Sequence, residues 1–458
     1  MKLRGTQEEF VAKAIEILEA TSTRKTVMVA PVAYGKSICI ANIVSRLKGP
    51  CIILQPNKEL LEQNYKKYTS YGNEASIFSA SMNSKELGNV TYATIGSIKS
   101  HAAAVRALKV KYLLIDECHL ATGTGSATDI FIKQTKIKNI LGVTATPVLL
   151  QPTFDGTMLK TMDKSQKNIF SAIGHVVQVG ELVRAGYWSK LVYELRVNSI
   201  PNLEYTSTGS DYTKESLKVA YIESESEKRC IEAVKDLKKE GRKSILVFVP
   251  NVQAAEDLSK KIKGSAYVHG KSSVSERNRI IDGFKDMSIN VVINVEVLTT
   301  GFDHPQLDAI VLARPTASIA LYYQIMGRGT RIHPEKANTK IMDLSGNVSN
   351  FGPIEYLNYE YIQGYGWGMF TRNECLTHNP IKARHKRPTK ETLRYEYTQK
   401  AIENSKPYHK FKMEFGKYAG KTLDVIPKHY LSYALDNWSF HSAKMKLLKK
   451  SIEKVLQL

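Results

Sequence analysis

Ala30-Pro31-Val32-Ala33-Tyr34-Gly35-Lys36-Ser37 follows the β-branched run Thr26-Val27-Met28-Val29 and leads into an amphipathic stretch. A strand that ends in a loop and opens a helix aims backbone N–H groups and the helix N-terminus at one point, the arrangement a bound phosphate needs. Lys36 is placed to meet the outer phosphates of a nucleotide, with Ala33, Tyr34 and Gly35 contributing backbone, and the Ser37 hydroxyl to bind Mg²⁺. Ala30 stands where the general pattern has Gly.

Outward from this loop, short β-branched runs at 26–30, 51–55, 90–93, 112–116 and 139–144 alternate with longer amphipathic stretches. That rhythm predicts a parallel sheet with crossover helices. It recurs at 244–250, 266–269, 290–295, 309–313 and 339–344, so a second α/β domain follows. Residues 151–226 are weakly periodic, and the turn-rich 202–211 suits a linker, so the hinge is expected there. The expected divisions are 1–155, an interdomain segment 156–225, a second domain 226–350, an aromatic and basic connector 351–389, and a C-terminal DNA-binding module 390–458.

The run at 112–115 ends in Asp116-Glu117-Cys118-His119. Two carboxylates at the C-terminal tip of a buried parallel strand stand where ligands of such sheets collect. Asp116 is placed to hold Mg²⁺ and Glu117 to orient and deprotonate an attacking water. Cys118 and His119 have no partners at metal-ligand spacing, and the five cysteines contain no C-x-x-C pair, so neither a zinc cluster nor a disulfide framework is expected. His119 is expected to link this tip to Thr144 and Thr146.

Sixty-five Lys and Arg against 44 Asp and Glu give a formal charge of +21, the footprint of a polyanion-binding protein. From Thr371 onward there are 19 basic and 8 acidic side chains, so about half of the excess lies in the last fifth of the chain. The N-terminus lacks the apolar core of a signal peptide and no run approaches bilayer length, so an intracellular protein without a membrane partner is expected.

With loop and acidic tip in this order, the chain resembles the superfamily 2 helicases over residues 3–331, of DEAD/DEAH-like type with a DECH box. The resemblance implies an α/β fold of two tandem RecA-like P-loop domains, here with a small basic C-terminal module, and ATP with Mg²⁺ as cofactors. Leu3-Arg4-x-x-Gln7 is similar to the adenine-reading motif, which assigns Arg4 and Gln7 to the nucleotide. Gln55-Pro56-Asn57-Lys58 and Thr94-Ile95-Gly96-Ser97 resemble segments that touch a strand's phosphates, as do His269 and Gly270. Thr144-Ala145-Thr146-Pro147 resembles the motif coupling nucleotide state to the strand-binding face. Thr299-Thr300-Gly301-Phe302-Asp303 is similar to the motif reaching both strand and nucleotide, with Gly301 and Asp303 on the nucleotide side. Gln324 opens Gln-Ile-Met-Gly327-Arg328-Gly-Thr-Arg331, whose arginines face the γ-phosphate across the interdomain cleft in the family. An arginine delivered from a second domain ties hydrolysis to closure of that cleft.

Two readings of the aromatic stretch 351–370 stand open, a base-stacking surface and a packed interdomain core. The segment Phe415-Gly416-Lys417-Tyr418-x-Gly420-Lys421-Thr422-Leu423 resembles a small module appended to phage and bacterial DNA-processing proteins. With the basic run at 382–387, it makes phage branch-migration and fork-remodelling helicases the nearest comparison. The expectation is a monomeric helicase of the bacterial or phage-infected cytoplasm, moving 3′-to-5′ on single-stranded, forked or branched DNA in replication, recombination or repair. An RNA helicase, the motor of a restriction or repair nuclease, and an ATP-hydrolysing binding switch remain as alternatives.

Overall fold

The computed structural model describes residues 3–457 except 21–23, 122, 154–155, 166–167, 198–201, 208–210, 299–301, 379–387, 406–411, 414–415 and 441–442. The expected nucleotide and strand contacts Thr299, Thr300 and Gly301, the basic run 382–387 and Phe415 lie outside the described residues.

The first sheet contains β1 (Thr26–Val29), β2 (Cys51–Gln55), β3 (Ser76–Ser79), β4 (Ser84–Lys85), β5 (Val90–Thr94), β6 (Tyr112–Asp116) and β7 (Asn139–Thr144). After a separate hairpin of β8 (Val148–Thr153) and β9 (Gly156–Thr161), β10 (Ala172–Val176) returns to it. The order is β10-β1-β7-β6-β2-β5-β3-β4, parallel except at β4. Every residue of β1, β2 and β6 is buried, as continuous apolar strands covered on both faces must be. This order sets the C-terminal tips of β1, β7 and β6 side by side, so the loop after Val29 meets Thr144 and Asp116.

The second sheet runs β11-β16-β15-β12-β14-β13, all parallel: β11 (Leu191–Leu195), β12 (Ile245–Phe248), β13 (Ser265–His269), β14 (Val291–Val295), β15 (Ala309–Leu312) and β16 (Thr339–Asp343). The interdomain segment differs from the sequence reading, because 156–225 gives an edge strand to each sheet, β10 to the first and β11 to the second. The crossing is therefore 177–190, ahead of the turn-rich 202–211. Edge strands are only partly covered, so β10 and β11 carry polar side chains among apolar ones and lack the continuous apolar run that marked the central strands. Asp211 fastens the turn-rich stretch to the second domain, accepting from Arg314 Nη2 at 2.8 Å, Thr316 Oγ1 at 3.0 Å and the Ala317 N–H at 2.8 Å.

Most of the aromatic stretch packs. Phe351 stacks on Tyr322 with centroids 5.2 Å apart, Phe370 is buried, and the Tyr359 hydroxyl reaches the Ala145 carbonyl at 3.4 Å. Strands Leu357–Ile362, Gly366–Thr371 and Glu374–Cys375 form a three-stranded sheet there, where the sequence reading had a connector. Tyr356 and Tyr361 are exposed.

Residues 361–366 and 389–458 form a second compact unit. Its helices Lys390–Ser405, Lys428–Asn437 and Ala443–Gln457 accompany a core of Met413, Leu423, Ile426, Leu431, Leu448 and Ile452. Among the described residues no helix is long and apolar enough to cross a membrane.

Candidate active site

The loop after β1 turns through two left-handed residues, Ala33 at φ 56° and Gly35 at φ 94°. Gly35 is required on two counts: that φ suits only a residue without a side chain, and a Cβ there would stand 2.8 Å from Gln7 Nε2. The turn aims the first N–H groups of the Lys36–Arg46 helix into a cleft of about 620 Å³. Gln7 is buried beneath the loop, donating through Nε2 to the Tyr34 carbonyl at 2.7 Å and accepting the Arg4 N–H on Oε1 at 3.0 Å. In this structure Gln7 therefore braces the loop backbone, and the Arg4 guanidinium lies 4.0 Å from the centroid of the Tyr187 ring. Tyr34 is buried, its ring edge-on to Phe10.

Lys36 and Ser37 line the cleft together with Asp116 and Glu117. Lys36 Nζ stands 3.4 Å from Glu117 Oε1. Asp116 accepts the Glu117 N–H at 2.9 Å and the Asn64 amide at 3.1 Å. Burial, and then the neighbouring Glu117 charge, push Asp116 up to about 7. Burial also raises Glu117, but Lys36, His119 and Arg328 outweigh it and leave that carboxyl below its ordinary range. The pair thus has less positive charge beside it than two carboxylates need. A hydroxyl and a carboxylate facing a phosphate site are the hard oxygen donors that Mg²⁺ takes, the rest of its shell coming from phosphate and water. Ser37 and Asp116 fit that ion.

His119 Nδ1 lies 2.8 Å from the Thr144 hydroxyl, which accepts the Thr146 N–H at 3.0 Å. A second contact, 3.4 Å to Glu117 Oε2, makes His119 the bridge between the acidic tip and the loop after β7. Burial and Lys36 hold its imidazole below the usual range against the opposing pull of Glu117.

From the second sheet, Phe302, Asp303, Gln324, Gly327, Arg328 and Arg331 close the same cleft. Arg328 is partly buried and donates to the Phe302 carbonyl, while Arg331 pairs with Asp303. Asp303, assigned to the nucleotide from sequence, therefore holds Arg331 in this structure. Gly327 lies flush on the phosphate loop, since a Cβ there would come within 2.4 Å of Val32. The Trp188 indole donates to the Val32 carbonyl at 3.2 Å from the crossing segment. Lys336 is a buried ammonium bonded to the Leu307 and Gly329 carbonyls, each at 3.1 Å, and Thr339 Oγ1 donates to the same two. Together they pin the turn between Arg328 and Arg331. Asn64, Trp188 and Lys336 escaped the sequence reading, because nothing in their local sequence distinguishes them from ordinary polar or aromatic residues.

The expected strand contacts lie on adjacent tips. Gln55 of β2 is in register with Thr94 of β5, which brings Pro56, Asn57 and Lys58 alongside Thr94, Gly96 and Ser97. Asn57 caps the Lys58–Thr69 helix by accepting the Leu60 N–H at 2.9 Å, and Ser97 accepts the Ala80 N–H at 2.9 Å. His269 ends β13, and Gly270 follows it. A second cleft of about 380 Å³ joins the lobes, with Asn57 and Glu59 on one wall and Gly270, Arg277 and Lys285 on the other. Neither amide atom of buried Gln55 has a hydrogen-bond partner among the described residues.

A phosphate loop and acidic tip on one parallel sheet, met by two arginines from another, define a two-lobed P-loop ATPase. Residues 1–149 match the family model described as type III restriction enzyme, res subunit, and 227–333 match the helicase conserved C-terminal domain. The chain belongs to the superfamily 2 helicases. It is 36% identical over 111 residues to a Saccharomyces cerevisiae protein named "Putative ATP-dependent helicase IRC3", covering 23% of this chain and 16% of that one. A 51.5 kDa protein of a Lactococcus phage is 23% identical over 349 residues, covering 74% of this chain and 70% of its own. Among solved structures, the ATP-dependent type ISP restriction-modification enzyme LlaBIII bound to DNA shares the fold, with TM-score 0.54 and 15% identity over 75% of this chain and 28% of that one. The chain thus spans well under a third of the yeast relative and of LlaBIII, and over two thirds of the phage protein.

Proposed function

We propose that this chain is an ATP-driven DNA motor that unwinds or branch-migrates forked and branched DNA, moving 3′-to-5′ as the family resemblance implies. The observation that carries the motor reading is the cleft in which Lys36, Ser37, Asp116 and Glu117 face Arg328 and Arg331 from the other lobe. The charge of +21 and the strand-tip positions of Asn57, Thr94 and His269 support a nucleic-acid track, and LlaBIII, solved on DNA, supports DNA as the polymer.

Nucleotide phosphates entering the loop draw Lys36 from Glu117, freeing that carboxylate to orient a water and take its proton. Ser37 and Asp116 would hold Mg²⁺, which would supply charge neutralisation at the phosphates when bound. Arg328 and Arg331 complete the charge balance only with the lobes together, so hydrolysis and lobe closure occur as one event. His119 and Thr144 relay the state of Glu117 to the loop at Thr146, and strand-binding tips on both lobes convert opening and closing into steps. ATPase rates measured with single-stranded DNA, forked DNA, Holliday junctions and RNA test the proposal. Forks and junctions are expected to stimulate most; equal stimulation by RNA would remove the DNA assignment, and no stimulation by any polymer would remove the motor.

A further inference from the structure

In the C-terminal unit the Gly416–Lys421 turn is held rigidly for so exposed a segment. Gly416 at φ 79° and Gly420 at φ 81° both adopt left-handed backbone, and a Cβ on Gly416 would stand 2.6 Å from the Tyr430 hydroxyl. That hydroxyl accepts the Lys417 N–H at 3.1 Å, and the Gly420 N–H donates to the Met413 carbonyl at 2.7 Å. Tyr418 packs edge-on against Tyr430 at 4.7 Å, and Tyr430 against Trp438 at 6.2 Å. The turn is therefore anchored to the unit's core.

On this support stand two lysines. Lys417 and Lys421 are exposed, and their ammonium groups lie 5.7 and 5.8 Å from the centroid of the one Tyr418 ring. No carboxylate of a described residue forms an ion pair with either; the Asp424 carboxylate accepts from the Thr422 hydroxyl instead. Most exposed lysines are mobile, and ordering one costs side-chain entropy. Here the one aromatic ring restrains two like charges, neither ion-paired with a carboxylate of a described residue, which presets a site for negative groups.

We propose that the Gly416–Lys421 turn is a nucleic-acid backbone grip, Lys417 and Lys421 each holding a phosphate on either side of Tyr418. The partner is a nucleic acid because 19 basic side chains against 8 acidic from Thr371 onward give the region the charge excess that phosphate chains meet. The proposal rests on the reading of the chain as a DNA motor, and places a second contact outside the motor's own cleft.

The test is binding of the full-length chain to forked DNA across a salt series, with a Lys417→Gln/Lys421→Gln variant. Loss of two phosphate contacts is expected to flatten the log–log salt slope by about 1.8 and to weaken binding roughly tenfold or more at 0.1 M salt. Lys417→Arg/Lys421→Arg should keep the slope, and ATPase without DNA should be unchanged in both variants. A Gln variant that folds cooperatively with wild-type affinity and slope overturns the grip, including the case in which the turn binds an acidic protein. If DNA stimulates the wild-type ATPase while the slope is unaffected, only the grip fails; if no nucleic acid stimulates it, the motor reading itself fails.

Discussion

Glu117 sits between two opposing demands, a partly buried position that favours the neutral acid and a lysine 3.4 Å away that favours the carboxylate. Its ionised form is the one that accepts a proton from water, so Glu117→Gln should leave ATP binding within about threefold of wild type and slow single-turnover hydrolysis by about 10²- to 10⁴-fold. Lys36→Ala removes the charge from the phosphates and should abolish both tight binding and turnover; near wild-type hydrolysis in a folded Lys36→Ala protein would withdraw the phosphate-loop assignment. His304 supplies a pH test in the second lobe. Burial, with Lys285 and Lys336 nearby, lowers its imidazole to about 4, and it packs against Phe284 and Phe302, whose carbonyl holds Arg328. A folded state that keeps this histidine neutral while the unfolded chain protonates near its ordinary 6.5 has full stability above that pH and loses it as pH falls toward 4. Thermal melting from pH 7.5 to 5 should show that loss, and His304→Gln should reduce it; an equal acid loss in the variant would place the sensitivity elsewhere.

At the scale of elements, the turn from Gly327 to Arg331 decides how closely the lobes meet. A Cβ at residue 327 would come 2.4 to 2.9 Å from three atoms of the Val32 side chain, distances no packed carbons hold. Gly327→Ala should therefore push the turn off the phosphate loop and lower kcat by about tenfold or more, since misplacement of about 1 Å costs that much in transition-state geometry. Val32→Gly removes all three obstructing atoms, so the double variant should recover activity relative to Gly327→Ala alone. Simple multiplication of the two defects would show that the contact does not control the arginines. The same turn shows what sequence pattern reveals and what it hides. Lys36 with Ser37, and Asp116 with Glu117, were readable because each pair is contiguous, the first opening a helix just past the loop that follows an apolar strand and the second at the tip of another. The Val32 contact with Gly327 spans the two lobes, and the Lys336 clamp on Gly329 needs a buried lysine that looks like any surface one until the chain is folded. Strands β10 and β11 were missed because an edge strand needs no continuous apolar run.

At the scale of the whole molecule, the chain divides its labour unequally. Every described residue lining the nucleotide cleft precedes Ile332, and 389–458 belongs to a compact unit with its own apolar core. A truncation after Pro388 removes the Thr389–Leu458 part of that unit together with many of the basic side chains that follow Thr371, while leaving both parallel sheets and the three-stranded sheet intact. If the motor's chemistry needs only the two lobes, basal ATPase should stay within about twofold of the full chain and the truncated protein should still melt cooperatively. Fork affinity should fall and its salt dependence should flatten, because each lost phosphate contact removes about 0.9 from the slope. Unwinding of branched substrates should then drop more than ATP consumption, giving a motor that burns nucleotide without keeping its track. A truncated protein that binds forks with the full slope would assign the C-terminal unit to packing or to a protein partner. One that melts cooperatively yet loses basal ATPase would show that the lobes need this unit for their geometry, and the division of labour drawn from the cleft would have to be given up.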